Sequence, residues 1–341
     1  MFVGGDYALY HSGPFQNLQV AVDAALGQSR LEFEDLRDRQ RPSGCGQCLY
    51  ERGPLSRKSL VFTPKSVLGR LSEIGSHAIE CTVSAVEATE QFEEFVTRPD
   101  GEIPLDLAAL SIAAHDHRVD EASVLTRLDE LAQLAPVNAA ALAQQLFGSG
   151  KFLGNQDNYS DVRNSFLDVV IDRGLGIPIT LSILMMEVGR RAGIELVGIG
   201  LPGHFLVGDS SDNFYDPFSG GRVLDVEGVK QKFAAVRGGA KFSSEYLAPV
   251  STRAILARVL ANLIPAYLAV GSAPSVLWVV RLRLLIPGLS VPERVAAASM
   301  LSDLGRFSEA AAVLENLAEE VSVVEADRLT QRAHSYRARG N

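Results

Sequence analysis

The sequence predicts an α+β fold in three parts, preceded by an extension. A helical lobe is expected over residues 72–150, an α/β core with a small antiparallel sheet over 151–249, and a helical tail over 250–341. Apolar residues recur at helical spacing before residue 150 and after residue 250, whereas short strand-like runs follow a strong helix between them. Residues 1–71 show no sustained periodicity, and we expect them to form a poorly ordered extension.

The composition excludes several classes of protein. The 341 residues are 47% apolar and 21% charged, as in an ordinary globular chain. The net charge of −9 argues against nucleic acid and anionic membranes as partners. Three cysteines are too few for a disulfide scaffold and indicate a reducing compartment. The most apolar stretch, 255–270, is shorter than the ~20 residues that span a bilayer. We therefore predict a soluble, cytoplasmic protein.

The predicted lobe is built from helices. Pro104 stands at the first position of one of them, where its missing N–H costs nothing. Leu125, Leu128 and Leu131 recur at near-helical spacing in another. The helices of the lobe are expected over 83–96, 104–114, 120–134 and 136–147.

The predicted core alternates between helices and strands. A helix over 162–173 is followed by a stronger one from Pro178 to Ala192, which Gly193 ends. Strands are then expected over 196–200, 204–207 and 214–215. The last two form a hairpin, because the polar run from Asp209 to Asp212 separates them.

The tail is predicted to contain a helix–turn–helix over 291–321 that is similar to part of a tetratricopeptide unit. A second and weaker unit covers 252–286. A free-standing array needs three or more such repeats, so we expect the tail to pack on the core.

His204 and Asp216 are the most specific candidates for a chemical site. If the hairpin turn centres on Ser210, the two residues lie directly opposite each other, with Cβ atoms about 4.5–5.5 Å apart. A carboxylate at that distance could bond one ring nitrogen of the histidine and fix its tautomer, as in nucleophile–base–orienter triads.

The sequence around this pair resembles the transglutaminase-like (papain-like) core of the SirB family, which also occurs in an F-box protein. The matching runs are GNQDNYSDVRNSFL, GIPITLSILMMEVGRRAGIELVGIGLPGHFLVG and FYDPFSGGRVLD. In enzymes with this core, a cysteine opens the helix, a histidine lies on a strand and an aspartate on the next. His204 and Asp216 match the last two, but the cysteine position falls on Pro178. The resemblance therefore implies a core without its nucleophile, and a regulatory role.

Ser182 is the alternative nucleophile. It is four residues beyond Pro178, rotated by only about 40° but about 6 Å further along the helix axis. If its hydroxyl faced His204, a serine mechanism would be conceivable. The other interpretation is a helical hydroxyl that bonds its own backbone.

Four further residues are candidates for a ligand or partner cleft. Asn155 belongs to a polar cluster that also fits a turn and helix-cap network. Arg163 and Asn164 match the family, and the resemblance implies that they line the same cleft as His204. Glu187 precedes Arg190 and Arg191 at the spacing of helical ion pairs, which is the alternative to a position in the cleft.

No metal or cofactor is predicted. The Cys45–Cys48 pair has the C-x-x-C spacing, but a second pair of ligands is missing. No glycine-rich phosphate motif precedes a helix.

These observations predict a non-catalytic, transglutaminase-like protein that acts as a protein-binding or regulatory scaffold. Its partner would be a protein or peptide bound through the helical tail, with neither nucleic acid nor membrane involved. The alternative is an atypical hydrolase or acyl-transfer enzyme that lacks the cysteine. It would use His204 as base, Asp216 to orient it, and Ser182 or an activated water as nucleophile.

Overall fold

The computed structural model describes residues 75–340, with side chains from residue 85 onward. The predicted extension and the Cys45–Cys48 pair lie outside the described residues. The helices are α1 (Gly75–Thr97), α2 (Leu105–Ala113), α3 (Glu121–Gln133), α4 (Ala139–Ala143), α5 (Leu167–Arg173), α6 (Pro178–Arg191), α7 (Val226–Arg237), α8 (Thr252–Ala269), α9 (Ala273–Leu285), α10 (Val291–Asp303), α11 (Phe307–Ala318) and α12 (Val323–Gly340). The strands are β1 (Leu153–Gly154), β2 (Leu175–Gly176), β3 (Val197–Ile199), β4 (Leu206–Gly208), β5 (Phe214–Asp216) and β6 (Arg222–Leu224). The predicted α+β fold, with its small antiparallel sheet and helical C-terminal region, is confirmed.

The lobe consists of α1 to α4, and side-chain caps fix where two of these helices start. The Asp120 carboxylate accepts a hydrogen bond from the Ser123 N–H, so α3 begins at Glu121. The Asn138 side chain accepts one from the Ala141 N–H. Because this cap comes two residues after Pro136, α4 starts later than predicted, and it then widens into a π-helical turn over Gln144–Gly148.

The main sheet has the order β3-β4-β5-β6 and is antiparallel throughout. Val207 is paired with Tyr215 and Gly208 with Phe214, so the hairpin turn centres on Ser211 and the predicted centre at Ser210 was wrong. The Asp209 carboxylate determines this turn, since it accepts hydrogen bonds from backbone N–H groups inside the loop.

The lobe, the core and the tail share one hydrophobic core. Helix α8 joins them, with ten buried residues along its length. Its first backbone N–H groups, of Thr252 and Arg253, donate to the Asp100 carboxylate from the lobe, at 2.9 and 3.1 Å. Buried residues of α8 also belong to the same hydrophobic core as those of α6, so the tail packs on the core as expected.

The rest of the tail is a series of helices packed against their neighbours along the chain. Gly305, with φ of 74°, makes the tight turn between α10 and α11. Helix α12 covers α11 with the buried side chains of Leu329, Ala333 and Tyr336. Within residues 75–340, none of the helices combines the length and the apolar character needed to cross a bilayer.

Candidate functional site

His204 lies at the end of a tight turn, two residues before β4, and not on the strand as predicted. Its backbone N–H donates to the carbonyl oxygen of Leu201 at 2.9 Å. Pro202 and Gly203 occupy the central positions, and the φ of 78° at Gly203 requires a residue without a side chain there. A Cβ at Gly203 would also lie 2.6 Å from Val236 of α7. The turn is thus held by its own backbone chemistry and by α7.

The structure brings His204 and Asp216 together. The Nε2 atom of His204 lies 2.9 Å from Oδ1 of Asp216, and the two residues are only 6% and 1% exposed. In the observed register, Leu206 continues the row opposite Asp216, so His204 reaches the carboxylate from a diagonal position. Because an ionised carboxylate can only accept, Nε2 of His204 carries a hydrogen and donates it to Asp216. Nδ1 is then the ring nitrogen that could accept a proton.

Lys232 of α7 completes the surroundings of Asp216. Its Nζ lies 2.8 Å from Oδ2 of the carboxylate and donates to Oγ of Ser219 at 2.9 Å. The Ser219 N–H donates to Oδ1 of Asp216 at 3.2 Å. Burial alone would raise the pKa of Asp216, but the neighbouring His204 and Lys232 hold it well below its usual range. Asp216 is therefore held as a carboxylate at neutral pH, with charged or hydrogen-bonding partners at both oxygens.

Aromatic rings lie beside the pair. Phe218 meets the His204 ring edge to face, with centroids 6.1 Å apart, and meets Tyr159 in the same way at 5.9 Å. Phe218 also packs directly on Gly154 of β1, where an added Cβ would lie 2.5 Å from the ring. A glycine at 154 is thus required for Phe218 to reach its place next to His204.

The start of α6 carries no nucleophile. Pro178 is the first residue of the helix and is buried. The Thr180 hydroxyl donates to the carbonyl oxygen of Asn164 at 2.6 Å and accepts from the Ile177 N–H at 3.2 Å. It is therefore committed to capping the helix and anchoring the preceding loop.

Ser182 is fully buried in α6, and its Oγ has no hydrogen-bond partner among the described residues. It neither bonds His204 nor bonds back to its own helix. A hydroxyl without a base within about 3 Å is not activated in this arrangement.

Asn155 and Asn164 form a buried network that shapes the loop before α5. Nδ2 of Asn155 donates to Oδ1 of Asn164 at 2.9 Å, and Nδ2 of Asn164 donates to the carbonyl oxygens of Asn158 and Tyr159. Arg163 is exposed and forms a two-pronged ion pair with Asp161. These contacts are those of a loop scaffold.

Glu187 is buried between α6 and the lobe. It pairs with Arg190 and Arg191, as its spacing predicts, and both arginines also bind the buried carboxylate of Asp106 in α2. Burial, together with the negative charge of Asp106, raises the pKa of Glu187. The cluster joins the lobe to the core through charge pairs.

A second polar cluster, missed by the sequence analysis, lies at the end of α2. Nε2 of His117 is 2.6 Å from Oδ2 of Asp168, and its Nδ1 is 3.3 Å from Oδ2 of Asp116. The Tyr267 hydroxyl of α8 donates to the other oxygen of Asp116 at 2.5 Å. Hydrogen bonds to Asp116 and Asp168 raise the pKa of His117 to about 9. At a pH below that pKa the ring is protonated and links Asp116 of the lobe to Asp168 of the core, while Tyr267 of the tail bonds Asp116.

Within the part of the chain that the structure describes, no three His, Cys, Asp or Glu side chains are grouped as they would be to hold a metal ion.

A helix followed by a small antiparallel sheet with a buried His–Asp pair is the arrangement of a transglutaminase-like core, and here Pro178 stands at the first position of that helix. Residues 107–261 match the family model described as the transglutaminase-like superfamily. A UPF0162 protein of Xylella fastidiosa is 35% identical over 194 residues, which cover 52% of this chain and 69% of that relative. The chain belongs to the UPF0162 family, in agreement with the SirB-type resemblance.

Other relatives extend this comparison. A UPF0162 protein of Pseudomonas aeruginosa is 30% identical over 48% of this chain and 65% of its own length. F-box only protein 21 of Mus musculus is 27% identical over 43% of this chain and 24% of its own length. No solved structure gave a significant match.

Proposed function

We propose that this protein is a non-catalytic transglutaminase-like scaffold that binds a protein or peptide through its helical tail. The observation that carries the non-catalytic part of the proposal is Pro178 at the first position of α6. The free N–H groups and the dipole of a helix start can stabilise a thiolate there, but proline supplies no nucleophile and suits the position structurally.

The surroundings of Pro178 support the same conclusion. The Thr180 hydroxyl is engaged by backbone groups, and the Ser182 hydroxyl is enclosed without a base. The Asp216 carboxylate has partners at both oxygens, so its contacts with His204 and Lys232 hold β5 to the preceding turn and to α7. On this view the pair has become a structural link.

The helical tail is the proposed binding element. Val323 and Val324, at the start of α12, are 77% and 67% exposed and form an apolar step at the end of the helical series. On the proposal, these two side chains supply apolar area that a partner would cover. The protein would act in the cytoplasm, as its three cysteines indicate.

The first test is a screen for amide hydrolysis and amine incorporation with the full chain beside His204→Ala. We expect no activity in either protein. Turnover by the wild type that disappears in His204→Ala would overturn the proposal, because it would make His204 a base.

The second test measures binding. Proteins captured by the full chain are identified, and each is then titrated against Val323→Ser/Val324→Ser and the matched lobe variant Leu134→Ser/Val137→Ser. The lobe residues are similarly exposed, at 71% and 96%. We expect affinity to fall at least about tenfold in the tail variant only, which corresponds to about 1.4 kcal/mol. Equal affinities in both variants would exclude this surface.

One observation favours the alternative, an atypical hydrolase. The His204–Asp216 hydrogen bond is intact at 2.9 Å, and an ionised carboxylate orients the ring. Such a pair could activate a water molecule in place of a side-chain nucleophile. The activity screen decides between the two.

A further inference from the structure

Arg258 of α8 holds both ends of the turn that carries His204. A single guanidinium nitrogen of Arg258 donates to the carbonyl oxygens of Leu201 and His204, at 2.9 Å each. Leu201 and His204 are also the residues that the turn's own backbone hydrogen bond joins. Arg258 therefore connects the two ends of the turn, in addition to the backbone hydrogen bond between them.

The guanidinium of Arg258 also lies against an aromatic ring. Its guanidinium lies 5.6 Å from the centroid of the buried Phe205 ring, within the range of a cation–π contact. Phe205 directly follows His204. Arg258 therefore contacts both ends of the turn and also the next residue along the chain. Charge-assisted hydrogen bonds of this kind are stronger than those between neutral groups.

The segment that leads into α8 is tied to the sheet too. The Val250 N–H donates to the carbonyl oxygen of Gly198 at 2.9 Å, and Pro249 forms a bridge with Ile199 of β3. The segment before α8 is thus bonded to β3, Arg258 of α8 itself is bonded to the turn, and the other end of the helix continues into α9 and the remaining tail.

We propose that Arg258 is a positioning residue that sets the His204 ring for its hydrogen bond to Asp216 and thereby makes the first tail helix part of the site. A role for this contact in regulation rests on the proposed function, in which a partner bound to the tail would act on His204 through Arg258. The contact itself is tested on the full chain without any partner.

The test compares Arg258→Met with Arg253→Met. Arg253 is also an α8 arginine that donates to backbone carbonyls, but these belong to Val96 and Arg98 in the lobe. The readouts are the imidazole Nε2–H resonance of His204 and the hydrogen exchange of its amide, both by NMR. In Arg258→Met we expect roughly tenfold faster exchange at His204 and a shifted or broadened Nε2–H signal, since a charge-assisted bond is lost.

Two further results decide the proposal. Arg258→Lys keeps the positive charge but is shorter and lacks the planar group, so it should restore the signal in part and remain folded if the methionine variant does not. Unchanged His204 signals in both Arg258 variants would overturn the proposal, as would an equal effect of Arg253→Met. Because partner binding is measured separately, failure here leaves the scaffold function standing.

Discussion

Nζ of Lys232 lies 2.8 Å from Oδ2 of Asp216, while Nε2 of His204 lies 2.9 Å from Oδ1. The buried carboxylate is thus shared between a helix and a turn that meet only in the folded chain. Asp216 therefore links these two segments, and the contribution of its contacts to the free energy of unfolding can be measured.

Lys232→Met should destabilise the fold at pH 7 by about 2 kcal/mol, because it leaves a buried carboxylate with one charge partner fewer. The folded-state pKa of Asp216 is depressed, so its contribution is present above the ordinary value near 4 and is lost as pH falls below it. The difference between wild type and variant, measured by urea unfolding, should therefore shrink below about pH 4.

Lys230→Met is the control for this experiment. Lys230 is on the same helix, is 46% exposed and, among the described residues, pairs only with exposed Glu227. Its loss should change stability by less than about 0.5 kcal/mol. Similar effects of both substitutions would show that general charge on α7, and not the Asp216 pair, is responsible.

His117 should give the protein a stability that declines in mildly alkaline solution. Its folded-state pKa is raised to about 9 by Asp116 and Asp168, above its ordinary 6.5. The contribution is then fully present below pH 6.5 and lost as pH rises through 9. His117→Gln should cost about 2 kcal/mol at pH 6 and much less at pH 9.5, as judged by urea unfolding.

The exposed His334 of α12 provides the matched substitution, His334→Gln. It should leave stability nearly unchanged at both pH values. A His117 effect that does not decline between pH 6 and pH 9.5 would contradict the charged pairing.

Asn164→Ala should lower stability by about 2–3 kcal/mol, because it removes the acceptor of the buried Asn155 amide and one donor to each of two loop carbonyls. Asn158→Ala removes an exposed side-chain amide whose one contact within residues 75–340 is a long one with Ser160, and it should be nearly neutral. If the two substitutions cost the same in thermal unfolding, the buried network does not hold the loop.

Pro178→Cys tests whether position 178 corresponds to the missing nucleophile. In a background with Cys45, Cys48 and Cys81 replaced by serine, we expect iodoacetamide to alkylate the new thiol faster when His204 is present than in the His204→Ala double variant. A neighbouring imidazole and a helix start both favour the reactive thiolate. Equal rates in the two proteins would show that residue 178 does not face His204.

Much of the fold follows from local pattern. Helices α2, α3 and α6 begin and end within one residue of their predicted bounds. In α6 the reason is local, since Pro178 suits the first turn of a helix and Gly193 suits the position after its last turn. The contact between His204 and Asp216 was also predictable, since a hairpin brings its two strands together. The exact pairing was not, because the Asp209 side chain sets the centre of the loop.

The sequence by itself determined helices α2, α3 and α6, the β4–β5 hairpin, the absence of a cysteine at position 178 and the likeness to one family, since these depend on neighbouring residues. Only the tertiary structure decided the partners Lys232 and Arg258, the burial of Glu187 and the contacts that raise the pKa of His117. These contacts join segments that are distant along the chain, such as α8 and the turn that carries His204. Their energies depend on burial and distance, and neither is encoded in any local spacing.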